Sequence, residues 1–289
     1  MRVRTAAMLL ILATLCLAAC GGSSGSAPAP ERPTGCGGER PAKPAGGRYA
    51  CVFSDDFNGS TLDLSKWMVT RTPQAGFATG RDCYVASARN VSVSGGALHL
   101  TSRVEPLPFL CHSPLGDFTT NQSAGSVLTY GKFAQTYGRF EFRAKFPPTA
   151  AAGVDSALWM YPQNPAYGPW PHSGEIDVAE WFGNNHTDHV FPSVHYAGEN
   201  TALSTGHDCV VNPPNGAFHT YAVEWTATSM QFFYDDKLCF QHSPAPAAPL
   251  VAPRPFDQPF DLVMTQTGVR GGPVGTSTTM SVDWVRAWK

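Results

Sequence analysis

Charge is scarce in this sequence. Only 15% of its 289 residues are charged while 43% are hydrophobic, which sets aside a disordered polyelectrolyte and a coiled coil. Neither sign dominates: 20 Lys and Arg stand against 22 Asp and Glu, a net charge of −2. With no basic block, a nucleic-acid partner held by phosphate neutralisation is not expected. No apolar run reaches the ~20 residues that a membrane-spanning helix needs. No capped segment with a 3.6-residue period of useful length is visible, and no stretch repeats, which argues against a propeller. Gly-x-Ser-x-Gly is matched only by Gly21-Gly22-Ser23-Ser24-Gly25, in a Gly- and Ser-rich stretch rather than at a strand-to-helix turn, so no serine-hydrolase elbow is present, and Cys-x-x-Cys is missing. A phosphate loop fails as well. Five residues separate Gly125 from Gly131-Lys132 where four are required, and Phe133 replaces the Ser or Thr. In His186-Thr187-Asp188-His189, near His195 and His207, two loop histidines three apart are read as solvated rather than as zinc ligands.

What is present begins with an export pattern. Arg2 and Arg4 precede an apolar run over residues 6–19, the n-region and h-region of a signal peptide. Leu17-Ala18-Ala19-Cys20 then resembles the lipobox of bacterial lipoproteins, in which the cysteine becomes the lipid-bearing first residue. An ordinary cleaved signal, leaving a secreted protein, is the alternative. Residues 21–47 hold 8 Gly, 5 Pro and 3 Ser with almost no large apolar side chain, so they read as a tether. The expected organisation is a lipoprotein signal peptide at 1–19, a lipid-anchored linker at 20–47 and one domain at 48–289. Beyond Cys16 and Cys20 six cysteines remain, an even number that in an exported chain suggests disulfides. Six allow 15 connectivities; nearest-neighbour pairing (36–51, 83–111, 209–239) closes the shortest loops and is expected.

Periodicity is two almost everywhere. Arg139-Phe140-Glu141-Phe142-Arg143-Ala144-Lys145-Phe146 alternates without a break, the pattern of a strand with one wet and one dry face. Gly95-Gly96 separates two short alternating runs as a two-residue hairpin turn would. Residues 221–225, 230–234 and 280–288 are further strands. Many strands joined by short turns over some 240 residues imply an all-β fold of two packed antiparallel sheets, a sandwich or jelly roll.

The chemistry lies in Trp170-Pro171-His172-Ser173-Gly174-Glu175-Ile176-Asp177-Val178-Ala179-Glu180-Trp181. Glu175 and Asp177 are two apart and share a strand face. Glu180 is at an odd offset, so a bulge at Val178–Ala179 is needed to return it to that face. The two glutamates are then about four pleats apart, roughly 13 Å along the backbone. Side chains leaning together would close this to the ~5–5.5 Å of a retaining glycosidase pair. Three carboxylates in one cleft repel, which raises at least one pKa toward that of a useful general acid. A solvated acidic face on an edge strand has the same spacing, but it needs no flanking tryptophans.

Glu-Ile-Asp-Val-Ala-Glu resembles the Glu-x-Asp-x-x-Glu motif of glycoside hydrolase family 16, in the bulged form of its laminarinase-like members. Residues 55–59, 137–147, 157–160, 218–225 and 282–286 resemble other segments of that family in order and spacing. The resemblance implies a β-jelly-roll with a concave glycan cleft and hydrolysis with retained configuration, as an endo-acting glucanase on β-1,3-glucan. A hydrolase of mixed-linkage glucan or galactan, or a non-catalytic glucan-binding protein on the same fold, is the alternative. Carried over by position, Glu175 is the nucleophile, Glu180 the general acid/base, and Asp177 orients the nucleophile. Trp159, Trp170 and His195 fall where the family lines its cleft. Asp283 aligns with the side-chain ligand of a structural calcium; no cofactor is implied for catalysis. Two departures bear on substrate. A tryptophan is lacking in Gly153-Val154-Asp155-Ser156-Ala157. An Asn that touches the sugar is missing from Thr265-Gln266-Thr267-Gly268-Val269-Arg270, with Gln266 as its stand-in. The protein is expected to be a monomer that meets a β-glycan and touches a membrane only through its anchor at the outer face of the cell.

The lipobox generates the first test. Cys20→Ser is expected to move the protein from membrane fractions to the soluble fraction with its activity intact. A native chain that carries no lipid by mass spectrometry overturns the anchor.

Overall fold

The computed structural model describes residues 35–148, 153–183, 188–268 and 277–289. The signal segment and Cys20 lie outside the described residues. In chain order the strands are β1 (Cys51–Asp55), β2 (Met68–Val69), β3 (Cys83–Tyr84), β4 (Val91–Ser94), β5 (Ala97–Cys111), β6 (Phe118–Leu128), β7 (Gly138–Lys145) and β8 (Asp155–Pro162). They continue as β9 (Glu175–Phe182), β10 (Phe191–His195), β11 (His219–Trp225), β12 (Met230–Tyr234), β13 (Lys237–His242), β14 (Phe260–Thr267) and β15 (Thr278–Trp288). Two single-turn α-helices, α1 (Thr72–Ala75) and α2 (Thr201–Ser204), and a 3-10 turn at Cys36–Gly38 complete the regular structure among the described residues. The Gly95-Gly96 turn joins β4 to β5 with φ of 59° and 77°, the left-handed conformation that a tight hairpin turn demands.

Hydrogen bonding runs β10-β9-β8-β14-β6-β5-β15-β7-β11-β12-β13. The path doubles over at the β5–β6 hairpin, whose strands belong to both layers. Residues 98–102 of β5 pair with β15, residues 103–111 pair with β6, and the end of β6 pairs with β14. The result is an antiparallel β-sandwich, a jelly roll. One layer contributes Leu158, Met160, Ile176, Val178, Trp181, Leu262 and Met264 to the core. The other contributes Phe140, Phe142, Val223, Trp225, Phe232 and Val282. Each large side chain so buried stabilises the fold by about 1.5–3 kcal/mol. Disulfides join Cys36 to Cys51, Cys83 to Cys111 and Cys209 to Cys239, the nearest-neighbour pairing.

One expectation is revised. The outer face of β7 is dry at its start, because Arg139 and Glu141 are only 7% and 6% exposed. Arg139 donates to Glu141 at 2.7 Å and to Glu224 at 3.3 Å, and a buried charge is tolerated when paired in this way. Part of the expected linker, residues 20–47, touches the domain. Cys36, Tyr49 and Trp288 form a small buried cluster, Trp288 Nε1 donates to the Glu39 carbonyl at 3.1 Å, and Arg286 pairs with Glu39 at 3.2 Å. A disulfide and a few polar contacts hold a segment whose composition offers little apolar area.

The two layers are also linked by a hydrogen bond. From β12 the buried Tyr234 hydroxyl donates to the Val178 carbonyl of β9 at 3.0 Å. Burial pushes this phenol well above its ordinary pKa, with Tyr221, Glu180 and Asp177 adding to the effect, so it remains a donor. Tyr234→Phe leaves that buried carbonyl without this donor. A loss of about 1–3 kcal/mol is expected in denaturant unfolding, with a fall in activity because β9 carries the acidic residues; unchanged stability refutes the link.

Candidate active site

β9 is not an edge strand; it lies between β8 and β10. Across β8, Ala179 faces Leu158 while Asp177 faces Trp159, so Val178 is the extra residue. Across β10 the same shift falls between Phe191, opposite Glu180, and Ser193, opposite Asp177. The bulge therefore sits where the odd spacing requires it. Ile176, Val178, Ala179 and Trp181 enter the core, and Glu175, Asp177 and Glu180 share the opposite face. Gly174 starts the strand with φ of 84°, and a Cβ there would come within 2.8 Å of the Phe256 ring. Only glycine meets both demands without strain.

Trp170, 56% exposed, donates its indole N–H to Glu175 Oε2. His195 on β10 lies directly across the ladder from Glu175. Its Nε2 is 3.3 Å from Asp177 Oδ2 and its Nδ1 is 2.9 Å from Glu199 Oε1. Burial opposes the cation, but Asp177 and Glu199 outweigh it and push the imidazole up to about 9. The site thus holds an imidazolium among four carboxylates at neutral pH.

Trp159 Nε1 donates to Thr265 Oγ1 at 3.0 Å. Thr265 lies 3.1 Å from Ser126 Oγ, which accepts from Thr70 at 3.0 Å. A hydroxyl chain thereby fixes the indole across three strands. Phe77 packs 5.8 Å from Trp159 and stacks on Tyr84 at 5.3 Å. Tyr161 follows on the same face of β8, its phenol raised by burial and by Glu175. Gln266 does not serve as the sugar contact. It is fully buried, accepts from Ser156 at 2.6 Å and donates to Thr278 at 3.2 Å. Strand alternation explains this: Thr265 points to the indole, so the next residue points inward. Asp261, opposite Tyr161 on β14, shares the face of Thr265 by the same alternation. It is 3% exposed, and burial pushes its carboxyl up to about 7.

A mixed array of carboxylates and indoles on one sandwich face is the setting for glycosidic chemistry. The sequence matches the profile of Glycosyl hydrolases family 16 over residues 85–286. The chain belongs to this family. It is a glycoside hydrolase. The β-glucanase of Rhodothermus marinus is 33% identical over 261 residues, covering 83% of this chain and 85% of that protein. Glucan endo-1,3-beta-glucosidase A1 of Niallia circulans is 32% identical over 279 residues; the match spans 86% of this chain and 39% of that larger protein. The crystal structure of the laminarinase from Rhodothermus marinus superposes with a TM-score of 0.68 at 31% identity, covering 83% of this chain and 97% of that one.

Asp283 stands apart from this family 16 site, on β15. Its carboxylate accepts from the Arg143 guanidinium, so its charge is balanced within the protein. Among the described residues no three His, Cys, Asp or Glu side chains gather to hold a metal ion. Calcium takes 6–8 oxygens, so backbone oxygens would supply most of the ligands at Asp283. His189 pairs with Asp188 at 3.0 Å, while His186 lies outside the described residues. Glu199 and Asp261 escaped the sequence reading. The signals were a carboxylate four residues after His195 beyond a glycine turn, and a single charge inside the apolar run Phe260-Asp261-Leu262-Val263-Met264.

Asp261 generates a pH test. Its proton is held more tightly in the folded chain than at the reference value of 3.8. The contribution is complete below 3.8 and is lost as pH rises through about 7. Asp261→Asn is expected to raise the Tm relative to the native chain by about 2–4 °C at pH 8, as ~1 kcal/mol does in a domain of this size. At pH 5 the gain is smaller; a gain independent of pH refutes the assignment.

Proposed function

We propose that this enzyme is an endo-acting, retaining β-glucan hydrolase whose substrate is β-1,3-glucan. One observation carries the reading: the bulge at Val178 presents Glu175 and Glu180 on the same face, flanked by Asp177 and by Trp159 and Trp170. In this mechanism the Glu175 carboxylate attacks the anomeric carbon while Glu180 protonates the departing sugar oxygen. Water activated by Glu180 then hydrolyses the glycosyl ester. The Trp170 N–H holds one oxygen of the Glu175 carboxylate. Asp177, paired with His195, orients the nucleophile and tunes its charge. Support for the substrate class comes from relatives named for β-glucan and β-1,3-glucan hydrolysis.

We place the enzyme outside the cell membrane, tethered through Cys20. Among the described residues no helix is long and apolar enough to cross a membrane.

Glu175→Gln is expected to abolish turnover, since an amide cannot form the ester. Glu180→Ala leaves the nucleophile in place, so aryl glycosides with good leaving groups still form the intermediate, and azide rescues turnover as a β-glycosyl azide. Near-normal activity of a folded Glu175→Gln overturns the assignment. Reducing-end assays on β-1,3-glucan, mixed-linkage glucan and galactan decide the substrate.

A further inference from the structure

Beyond the acidic strand, the chain builds a second set of contacts around His195. Gly198, with φ of 86°, turns the chain after β10, and the turn closes with Glu199 N donating to the Tyr196 carbonyl at 3.1 Å. A Cβ at Gly198 would approach Ala247 to 2.6 Å, so the turn is packed in place. It directs Glu199 back to His195. The Glu199 carboxylate uses both oxygens: Oε1 is 2.9 Å from His195 Nδ1, and Oε2 accepts from Ser204 Oγ at 2.7 Å. Ser204 closes α2, whose first turn is capped by Asn200 Oδ1 accepting from Ala202 N at 3.1 Å. The Ser204 backbone N–H also donates to the Asn200 carbonyl at 2.9 Å. Glu199 is therefore held by a small rigid unit outside the sandwich strands.

We infer that Glu199 is a positioning residue that keeps His195 as an imidazolium pressed against Asp177. This deepens the proposed glycosidase mechanism and rests on it. A neutral imidazole carries one N–H, whereas an imidazolium donates at both nitrogens. His195 has a carboxylate at each nitrogen, Asp177 on one side and Glu199 on the other, and only the cation satisfies both. Three further groups face it. Glu175 lies across the ladder, Glu180 is farther along β9, and the Trp170 indole is centred 5.9 Å from the imidazole, where a π face favours a cation. The consequence concerns Glu175 and Glu180. With His195 charged, Asp177 remains ionised without adding a full negative charge beside the reacting pair. Without Glu199 the imidazole gives up its proton at a lower pH, and its contact with Asp177 weakens. Asp177 then orients the nucleophile less firmly wherever the imidazole is neutral.

Glu199→Gln tests this, because the amide oxygen still accepts from Nδ1 and only the charge is removed. The His195 resonances, assigned with a His195→Gln control, are followed by 1H–15N NMR against pH. The native imidazole is expected to titrate at about 9, and in Glu199→Gln at least one pH unit lower, a tenfold change in protonation equilibrium. In parallel, the loss of kcat in Glu199→Gln is expected to be larger at pH 8 than at pH 5, with KM changed less than kcat. Glu199→Asp, with its charge retained, is expected to restore part of the titration shift. An unmoved His195 titration in folded Glu199→Gln overturns the inference while leaving the role of Glu175 untouched. A kcat deficit equal at both pH values overturns it too. Conversely, an active Glu175→Gln sinks the mechanism, even where the His195 titration moves as expected.

Discussion

One extra residue in one strand organises this protein. Glu180 is at an odd offset from Glu175, and were Val178 paired in register instead of bulged, Glu180 would point into the core, where an unpaired carboxylate is very costly. The bulge is held from both sides of β9 and from beneath. The β8 and β10 registers shift around it, and Tyr234 reaches from the other layer to its carbonyl. The site is thus part of the sandwich packing. Gly174, forced into a conformation that few residues adopt, sets where the strand begins.

Electrostatics then adds a second constraint. Carboxylates on one face repel, and a sandwich wall offers little water to screen them. The chain answers with a histidine clamped between Asp177 and Glu199. Trp170 places a neutral N–H donor on Glu175. The two responses differ in kind. A cation changes the field over the whole site, while an indole N–H fixes one oxygen of one carboxylate. Asp261 shows the opposite solution: with burial dominating, its carboxyl is pushed toward the neutral form.

Much of this was legible in the residues because strand periodicity leaves little freedom. The spacing of Glu175, Asp177 and Glu180 demanded a bulge, and Gly95-Gly96 announced a hairpin. The nearest cysteines are also those that meet. What escaped depends on contacts between distant segments. Gln266 looked like a replacement for a missing Asn, but a shift of one residue along β14 turns it inward, so Thr265 occupies the cleft-facing position. Alternation in β7 implied a wet face, yet Glu224, 85 residues beyond Arg139, dries it. Residues 35–47 have the composition of a tether, yet Cys36 is buried and Glu39 meets Trp288 and Arg286, contacts that composition cannot show. Asp283 fits a ligand pattern, and the pattern does not show that Arg143 on the neighbouring strand donates to its carboxylate.

The Cys209–Cys239 bond has a further meaning in this topology. Its cysteines are 30 residues apart in sequence. One follows β10 and α2, while the other lies in β13, and these two strands end the hydrogen-bonded path. A ladder frays from its free ends, and β10, the end that carries His195, has only β9 as a strand partner. Bridges from Ser193 to Thr205 and from His189 to Val210 connect β10 to the segment that contains Cys209. The disulfide therefore acts as a seam, so that opening the site end of the ladder also pulls on its far end. Amide protons along β10 should exchange with solvent at rates set by the whole sandwich rather than by a loose border, and rigidity reaches the imidazole from a strand in the opposite layer.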